Sequence, residues 1–115
     1  MKLEGKKAIV TGGSRGIGRA IALLYAKEGA DVLVNYHSND TAAKETVAEI
    51  EKLGRKGVAV AADVASYTSA QNMVEECVKQ LGGVDIVVNN AGVSKPSMLL
   101  KMKEEDWDAI IDIHL

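Results

Sequence analysis

The 115-residue sequence predicts an α/β fold built on an open, doubly wound parallel sheet. Three observations predict it. Short apolar runs alternate with helix-period segments from one end of the chain to the other. The runs are apolar throughout rather than on every second residue, and a glycine cluster closes the first of them. Continuously apolar strands are strands covered on both faces, and each crossover between parallel strands carries a helix. Right-handed crossovers then wind the sheet open.

Each element has its own signal. Residues 7–11, Lys7-Ala8-Ile9-Val10-Thr11, form the first strand. Residues 17–28 follow with helical spacing, Ile17, Ile21, Leu24 and Tyr25 on one face, and Gly29 as the stop. Residues 31–35 are the second strand. Residues 41–53 are a second amphipathic helix, with Val47, Ile50 and Leu53 inward and Gly54 at its end. Residues 58–61 make the third strand, and residues 67–81 the third helix, stopped by Gly82-Gly83. Residues 84–88, Val84-Asp85-Ile86-Val87-Val88, are the fourth strand. Residues 95–100, with the only proline, read as a loop, and a last helical pattern begins near Lys103 and contains Trp107, Ile110 and Ile111.

Composition narrows the function. Hydrophobic residues are 47% and charged residues 26%, an ordinary globular balance. A net charge of −2 supplies no broad basic field, so neither nucleic acid nor an anionic membrane is expected as a partner. The one cysteine, Cys77, forms no internal disulfide and suits a reducing compartment. The segment from Met1 to Gly5 has no apolar secretory core, so a soluble, cytoplasmic protein is expected. His37 and His114 are the only histidines and no Cys or carboxylate cluster accompanies them, so no metal site is expected. With no Phe, the core is expected to be built from Ala, Val, Ile and Leu.

Chemistry enters at Thr11-Gly12-Gly13-Ser14-Arg15-Gly16-Ile17-Gly18, between the first strand and the first helix. Such a turn lets backbone N–H groups approach a pyrophosphate, and the helix presents its positive dipole end to it. Gly18, one turn into the helix, permits close helix–strand packing. A glycine turn that only makes a tight connection is the alternative reading. A P-loop is excluded because no Gly-Lys-Ser/Thr follows.

The glycines fall at Gly12, Gly16 and Gly18, a Thr-Gly-x-x-x-Gly-x-Gly spacing. Asp63-Val64 follows the third strand, Asn89-Asn90-Ala91-Gly92 the fourth, and Trp107 lies beyond. In this combination the whole chain resembles the first half of the short-chain dehydrogenases/reductases, and within them most the 3-oxoacyl-(acyl carrier protein) reductases and related sugar dehydrogenases. The resemblance implies a Rossmann-type doubly wound parallel sheet and an oxidoreductase moving hydride between a nicotinamide and a carbonyl or alcohol. It places Gly12, Ser14, Arg15, Gly16, Ile17 and Gly18 around the cofactor phosphates and adjacent ribose, and Asp63 and Val64 beside the adenine. It places Asn89, Asn90, Ala91 and Gly92 under the ribose and nicotinamide. For Asp63 a turn role, and for Asn89 and Asn90 a bracing role between strands, remain alternatives.

The end of the second strand bears on which cofactor. Users of NAD place an acid there that repels the extra phosphate of NADP. This chain has Asn35-Tyr36-His37-Ser38, with no carboxylate until Asp40, and Arg15 offers a fixed positive charge. One charge-assisted hydrogen bond, about 1.5–3 kcal/mol, corresponds to roughly ten- to a hundredfold preference. NADP(H) is therefore favoured, with Asn35, Tyr36 and His37 beside it; NAD(H) is the alternative.

The same resemblance implies a catalytic Tyr-x-x-x-Lys, whose lysine charge favours the phenolate. Four residues after Tyr25, Tyr36 and Tyr67 stand Gly29, Asp40 and Gln71, so no such pair exists here. His114 stands where the family often has a relay Asn. These 115 residues are thus expected to be a single dinucleotide-binding half-domain, apparently truncated at its C-terminus and catalytically incomplete. Four strands would leave an apolar strand at the sheet edge, an association hazard, so a homo-oligomer or pairing with a complementary C-terminal half is expected. A stand-alone nucleotide-binding or structural half-domain is the competing reading.

Overall fold

A computed structural model describes residues 2–14, 16–63, 66–90, 97–103 and 106–114. The elements run β1 (Lys7–Val10), α1 (Gly16–Lys27), β2 (Asp31–Tyr36), α2 (Asp40–Lys52), β3 (Gly57–Ala61), α3 (Tyr67–Leu81), β4 (Ile86–Asn89), β5 (Ser97–Lys103) and β6 (Asp106–His114). They form one sheet in the order β3-β2-β1-β4-β5-β6. The four strands from β3 to β4 pair in parallel, which is the expected Rossmann-type arrangement. The chain winds outward from β1 to β3 and then returns to the other side of β1 for β4, creating a switch point between β1 and β4.

Period two sorts the strand residues into two cores. Ala8, Val10, Val32, Val34, Ile86 and Val88 pack with Ala22 and Ala26 of α1 and Ile50 of α2 on one face. Ile9 and Leu33 pack with Met73, Cys77 and Leu81 of α3 on the other. Local chemistry fixes the helix ends. The Asn39 side chain accepts from the Ala42 amide at 3.1 Å to start α2, and Ser66 accepts from Ser69 to start α3. Gly82, at φ 93°, ends α3 in the left-handed conformation that favours glycine.

Two expectations are corrected. The buried stripe of α1 is Gly18, Ala22 and Ala26, whereas Ile17 is 65% and Leu24 54% exposed. Helix and sheet approach so closely that small residues are required at the contact, and the larger ones are pushed to its flanks and to the surface. On α2, likewise, Ala43, Thr46 and Ile50 are buried while Leu53 is 39% exposed.

The second correction is larger. The described residues 97–103 and 106–114, expected as loop and last helix, form the antiparallel strands β5 and β6. The fourth strand is therefore not the sheet edge, because β5 pairs along it from Ile86↔Leu100 to Asn89↔Ser97. The physical reason lies in a double periodicity. Asp106, Asp108, Asp112 and His114 alternate with Trp107, Ala109, Ile111 and Ile113, a period of two broken at Ile110, while Trp107, Ile110 and Ile111 also satisfy the helical period. The β-branched isoleucines favour a strand, β5 supplies their partner, and the apolar edge of β4 in turn takes up β5.

Candidate dinucleotide site

The site is built where three strands end together. Val10 pairs with Val34 on one side and Val88 on the other, so the segments leaving β1, β2 and β4 emerge side by side. The Thr11 hydroxyl donates to the Val88 carbonyl at 3.1 Å and accepts from the Asn90 amide at 2.8 Å. Asn90 Nδ2 donates to the Gly12 carbonyl at 3.3 Å. Together these bonds lock the glycine loop to the end of β4, so the bracing role weighed for Asn90 is one its side chain performs.

Asn35 holds the loop from the β2 side. It is 2% exposed. Its Oδ1 accepts from the Gly12 amide at 3.2 Å, its backbone carbonyl accepts from the Gly13 amide at 3.1 Å, and its Nδ2 donates to the Ala62 carbonyl at 3.1 Å. One side chain thus links the ends of β1, β2 and β3. The amides of Gly12 and Gly13 are engaged within the protein, so an anion would be met by the amides that follow them.

Those amides open α1. The first N–H groups of a helix have no partner inside it, and the dipole there is positive. The first turn, Gly16-Ile17-Gly18-Arg19, contains no acidic residue to compete with a phosphate. Gly12 and Gly16 adopt φ of 62° and 61°, the left-handed backbone that lets the chain reverse into the helix. A Cβ on Gly18 would collide with the Gly12 carbonyl oxygen and lie 2.6 Å from Asn90 Nδ2. Glycine is required there by space. The donor set fits a pyrophosphate: a tight turn, an acid-free helix start and a backbone held rigid from three sides.

The other expected residues fall into place unevenly. Ser14 is 7% exposed, and Ile17 lies open at the mouth of the loop. Tyr36 ends β2 half-buried, with its carbonyl accepting from the Ala62 amide at 3.1 Å, and His37 is exposed just beyond. Asp63 is exposed, and its carbonyl accepts from the Ser66 amide at 3.0 Å. Asn89 is the exposed last residue of β4. Arg15, Val64, Ala91 and Gly92 lie outside the described residues. His114, expected in a helix at a relay position, stands in β6 opposite Ser97.

Sequence reasoning missed Thr46. It is fully buried on α2, and its hydroxyl reaches the Ser14 carbonyl at 3.2 Å and the Ala42 carbonyl at 2.9 Å. The available signal was a hydroxyl at helical spacing between Ala43 and Ile50, on a face otherwise apolar.

Titratable groups away from the crevice have structural surroundings. Burial, reinforced by the charge of Asp85, pushes the Cys77 thiol up to about 12, and its Sγ lies 3.3 Å from the Gly83 carbonyl. It is a packing group, not a nucleophile. At the opposite end of the sheet Asp31 bonds Lys7 Nζ at 2.6 Å and the Lys56 amide at 2.9 Å. Partial burial acts to raise the Asp31 pKa, but the bonds from Lys7 and Lys56 prevail and lower it. Among the described residues no group of His, Cys, Asp and Glu is placed to hold a metal, and no helix is long and apolar enough to cross a membrane.

Four parallel strands with a glycine loop at their switch point, running into an acid-free helix start, define a Rossmann-type α/β protein. The family model of the short chain dehydrogenases matches residues 6–115, and the chain belongs to that family. It is 47% identical over 110 residues to a 3-oxoacyl-(acyl-carrier-protein) reductase of Staphylococcus epidermidis, covering 96% of this chain and 45% of the relative. It is 43% identical over 113 residues to the corresponding reductase of Synechocystis sp., covering 98% of this chain and 46% of the relative. The chain thus spans less than half the length of these relatives. Among solved structures, a short chain dehydrogenase of Burkholderia cenocepacia in complex with NADP superposes with a TM-score of 0.78 at 48% identity, over 81% of this chain and 38% of that one. A blue fluorescent protein from a metagenomic library, in complex with NADPH, does so with a TM-score of 0.76 at 45% identity, over 81% and 38%.

Proposed function

We propose that these residues are the NADP(H)-binding part of a short-chain dehydrogenase/reductase that moves hydride between the nicotinamide and a carbonyl or alcohol, with a 3-oxoacyl thioester as the substrate class. The observation that carries this reading is the glycine loop, clamped by Asn35 and Asn90 and opening onto an acid-free helix start. The relatives named as 3-oxoacyl-(acyl-carrier-protein) reductases and the neighbours solved with NADP and NADPH support it. Gly12, Ser14, Gly16, Ile17 and Gly18 surround the pyrophosphate, and Arg15 meets the 2′-phosphate beside Tyr36 and His37. Asp63 and Val64 flank the adenine, and Asn89 to Gly92 floor the ribose and nicotinamide side. Asn35 acts through the loop it holds.

The bound dinucleotide supplies the hydride; these residues bind and orient it. They contain no Tyr-x-x-x-Lys to move the accompanying proton. By themselves they bind cofactor without turning substrate over, since a missing acid–base group typically costs about 10²–10⁴ in rate. Activity is restored by a complementary half carrying that pair. Association between copies is part of the same proposal, with β6 now the terminal strand on that side.

The pairing of β4 by β5 favours a second reading, a self-contained nucleotide-binding module that folds without further strands. Calorimetric titration with NADPH and then NADH, repeated with Arg15→Gln, tests the first reading. Tighter binding of NADPH, lost in the variant, supports it. Binding of neither by folded protein contradicts both readings.

A further inference from the structure

Among the described residues, the glycine loop is held by side chains from the strand ends and from a helix. Asn35 and Asn90 reach it from the ends of β2 and β4. The third hold comes from a helix. Thr46, with 0% exposure, stands on α2 between the buried Ala43 and Ile50. A threonine inside a helix commonly bonds the carbonyl four residues back; the single hydroxyl proton of Thr46 is shared between the Ala42 carbonyl at 2.9 Å and the Ser14 carbonyl at 3.2 Å. The contact with Ser14, 32 residues away in sequence, is not explained by that habit. Ser14 is 7% exposed, and a buried carbonyl requires a donor.

We propose that Thr46 is a positioning residue for the dinucleotide: its buried hydroxyl pins the Ser14 carbonyl and so couples α2 to the glycine loop. The inference rests in part on the NADP(H) reading above. Fixing the Ser14 carbonyl fixes the plane of the peptide bond that leaves it, because that unit is rigid. Ser14 stands between the two amides engaged by Asn35 and the helix start at Gly16, so pinning its carbonyl limits how the loop presents the first amides of α1 to an anion. α2 begins at Asp40, directly beyond the Tyr36-His37-Ser38-Asn39 segment that ends β2. Thr46 therefore ties the element that follows the ribose side of the site to the loop that takes the phosphates.

The test uses the intact 115-residue chain with three substitutions, well below its unfolding temperature. Thr46→Val and Thr46→Ala both remove the hydroxyl, the second without forcing a methyl against the Ser14 carbonyl, so one folded variant suffices. Thr46→Ser keeps the hydroxyl and removes the methyl. Calorimetry with NADPH and hydrogen exchange of the amides of residues 12–18 are the readouts. We expect Kd for NADPH to rise about two- to tenfold in the hydroxyl-free variants, which is what one hydrogen bond of ordinary net strength converts to. The loop amides exchange faster in those variants, and Thr46→Ser stays within about twofold of the parent on both readouts. Unchanged affinity and exchange in the hydroxyl-free variants overturn the proposal, as does an equal loss in Thr46→Ser, which would mark packing instead. If the parent binds no dinucleotide the NADP(H) reading fails, and the exchange comparison alone then decides Thr46.

Discussion

Gly18 and Asn90 lie far apart in sequence but meet in space: a Cβ on Gly18 would lie 2.6 Å from Asn90 Nδ2, the group that donates to the Gly12 carbonyl. The same Cβ would strike Gly12 itself. The nearer obstacle is loop backbone and the other is the side chain that clamps it, so the loop must shift to admit any side chain. Gly18→Ala is expected to lower stability by about 1–3 kcal/mol, the usual cost of overpacking. It is also expected to weaken NADPH binding more than a surface Gly83→Ala control, since Gly83 has open space around it. Thermal unfolding and titration of the two variants check both.

Asn35 is the second test of the loop. Asn35→Ala removes the acceptor of the Gly12 amide and the donor to the Ala62 carbonyl in a site that is 2% exposed. Leaving such groups unpaired costs about 1–3 kcal/mol. Asn35→Asp keeps the acceptor but turns an oxygen toward the Ala62 carbonyl, so it is expected to be at least as damaging. Denaturant midpoints rank the three proteins, and equal midpoints would show the clamp to be without weight.

How much of this was legible in the sequence depends on which forces were local. β1 to β4 and the helices between them were legible because apolar runs, helical spacing and glycine stops are written in consecutive residues. The buried face of α1 was not. Ile17 and Leu24 outrank Ala22 and Ala26 in hydrophobicity, yet close approach to the sheet selects for smallness. The tail was misread because 106–114 carries both periods, and the choice between them is made by its partner strand β5, which is itself paired to β4. In the site, the glycine spacing announced the loop, whereas Asn35, read as a cofactor contact at the strand end, holds the loop through its own bonds. Thr46 was passed over because one hydroxyl on an apolar helix face is a local signal that does not name its distant partner, Ser14.

Asp31 gives a pH dependence with a definite sign. Its folded pKa lies below 3.8 because the bonds from Lys7 and Lys56 outweigh partial burial. Its contribution is therefore complete above about pH 4 and is lost as pH falls through the lower folded value. Asp31→Asn is expected to cost about 1–2 kcal/mol at neutral pH, a modest figure for a partly exposed pair. It should also flatten part of the acid limb of a plot of Tm against pH. A variant whose acid limb matches that of the parent would contradict the assignment.

Cys77 is expected to resist modification. Only a thiolate attacks a thiol reagent readily, and a thiol held near 12 within the core offers almost none at pH 8. Labelling with a chromogenic disulfide should be negligible in the folded chain and complete in guanidinium. Rapid labelling without unfolding would mean that α3 separates from the sheet far more easily than its packing implies.

The central claim is that the dinucleotide binds at the loop between β1 and α1. Amide chemical-shift mapping during an NADPH titration addresses it most directly. The result predicted is a set of shifts concentrated at residues 12–18, with smaller ones at Tyr36, His37, Asp63 and Asn90, and none around Lys7, Asp31 and Cys77. Saturable binding whose shifts avoid residues 12–18 would contradict the claim, whatever the affinity.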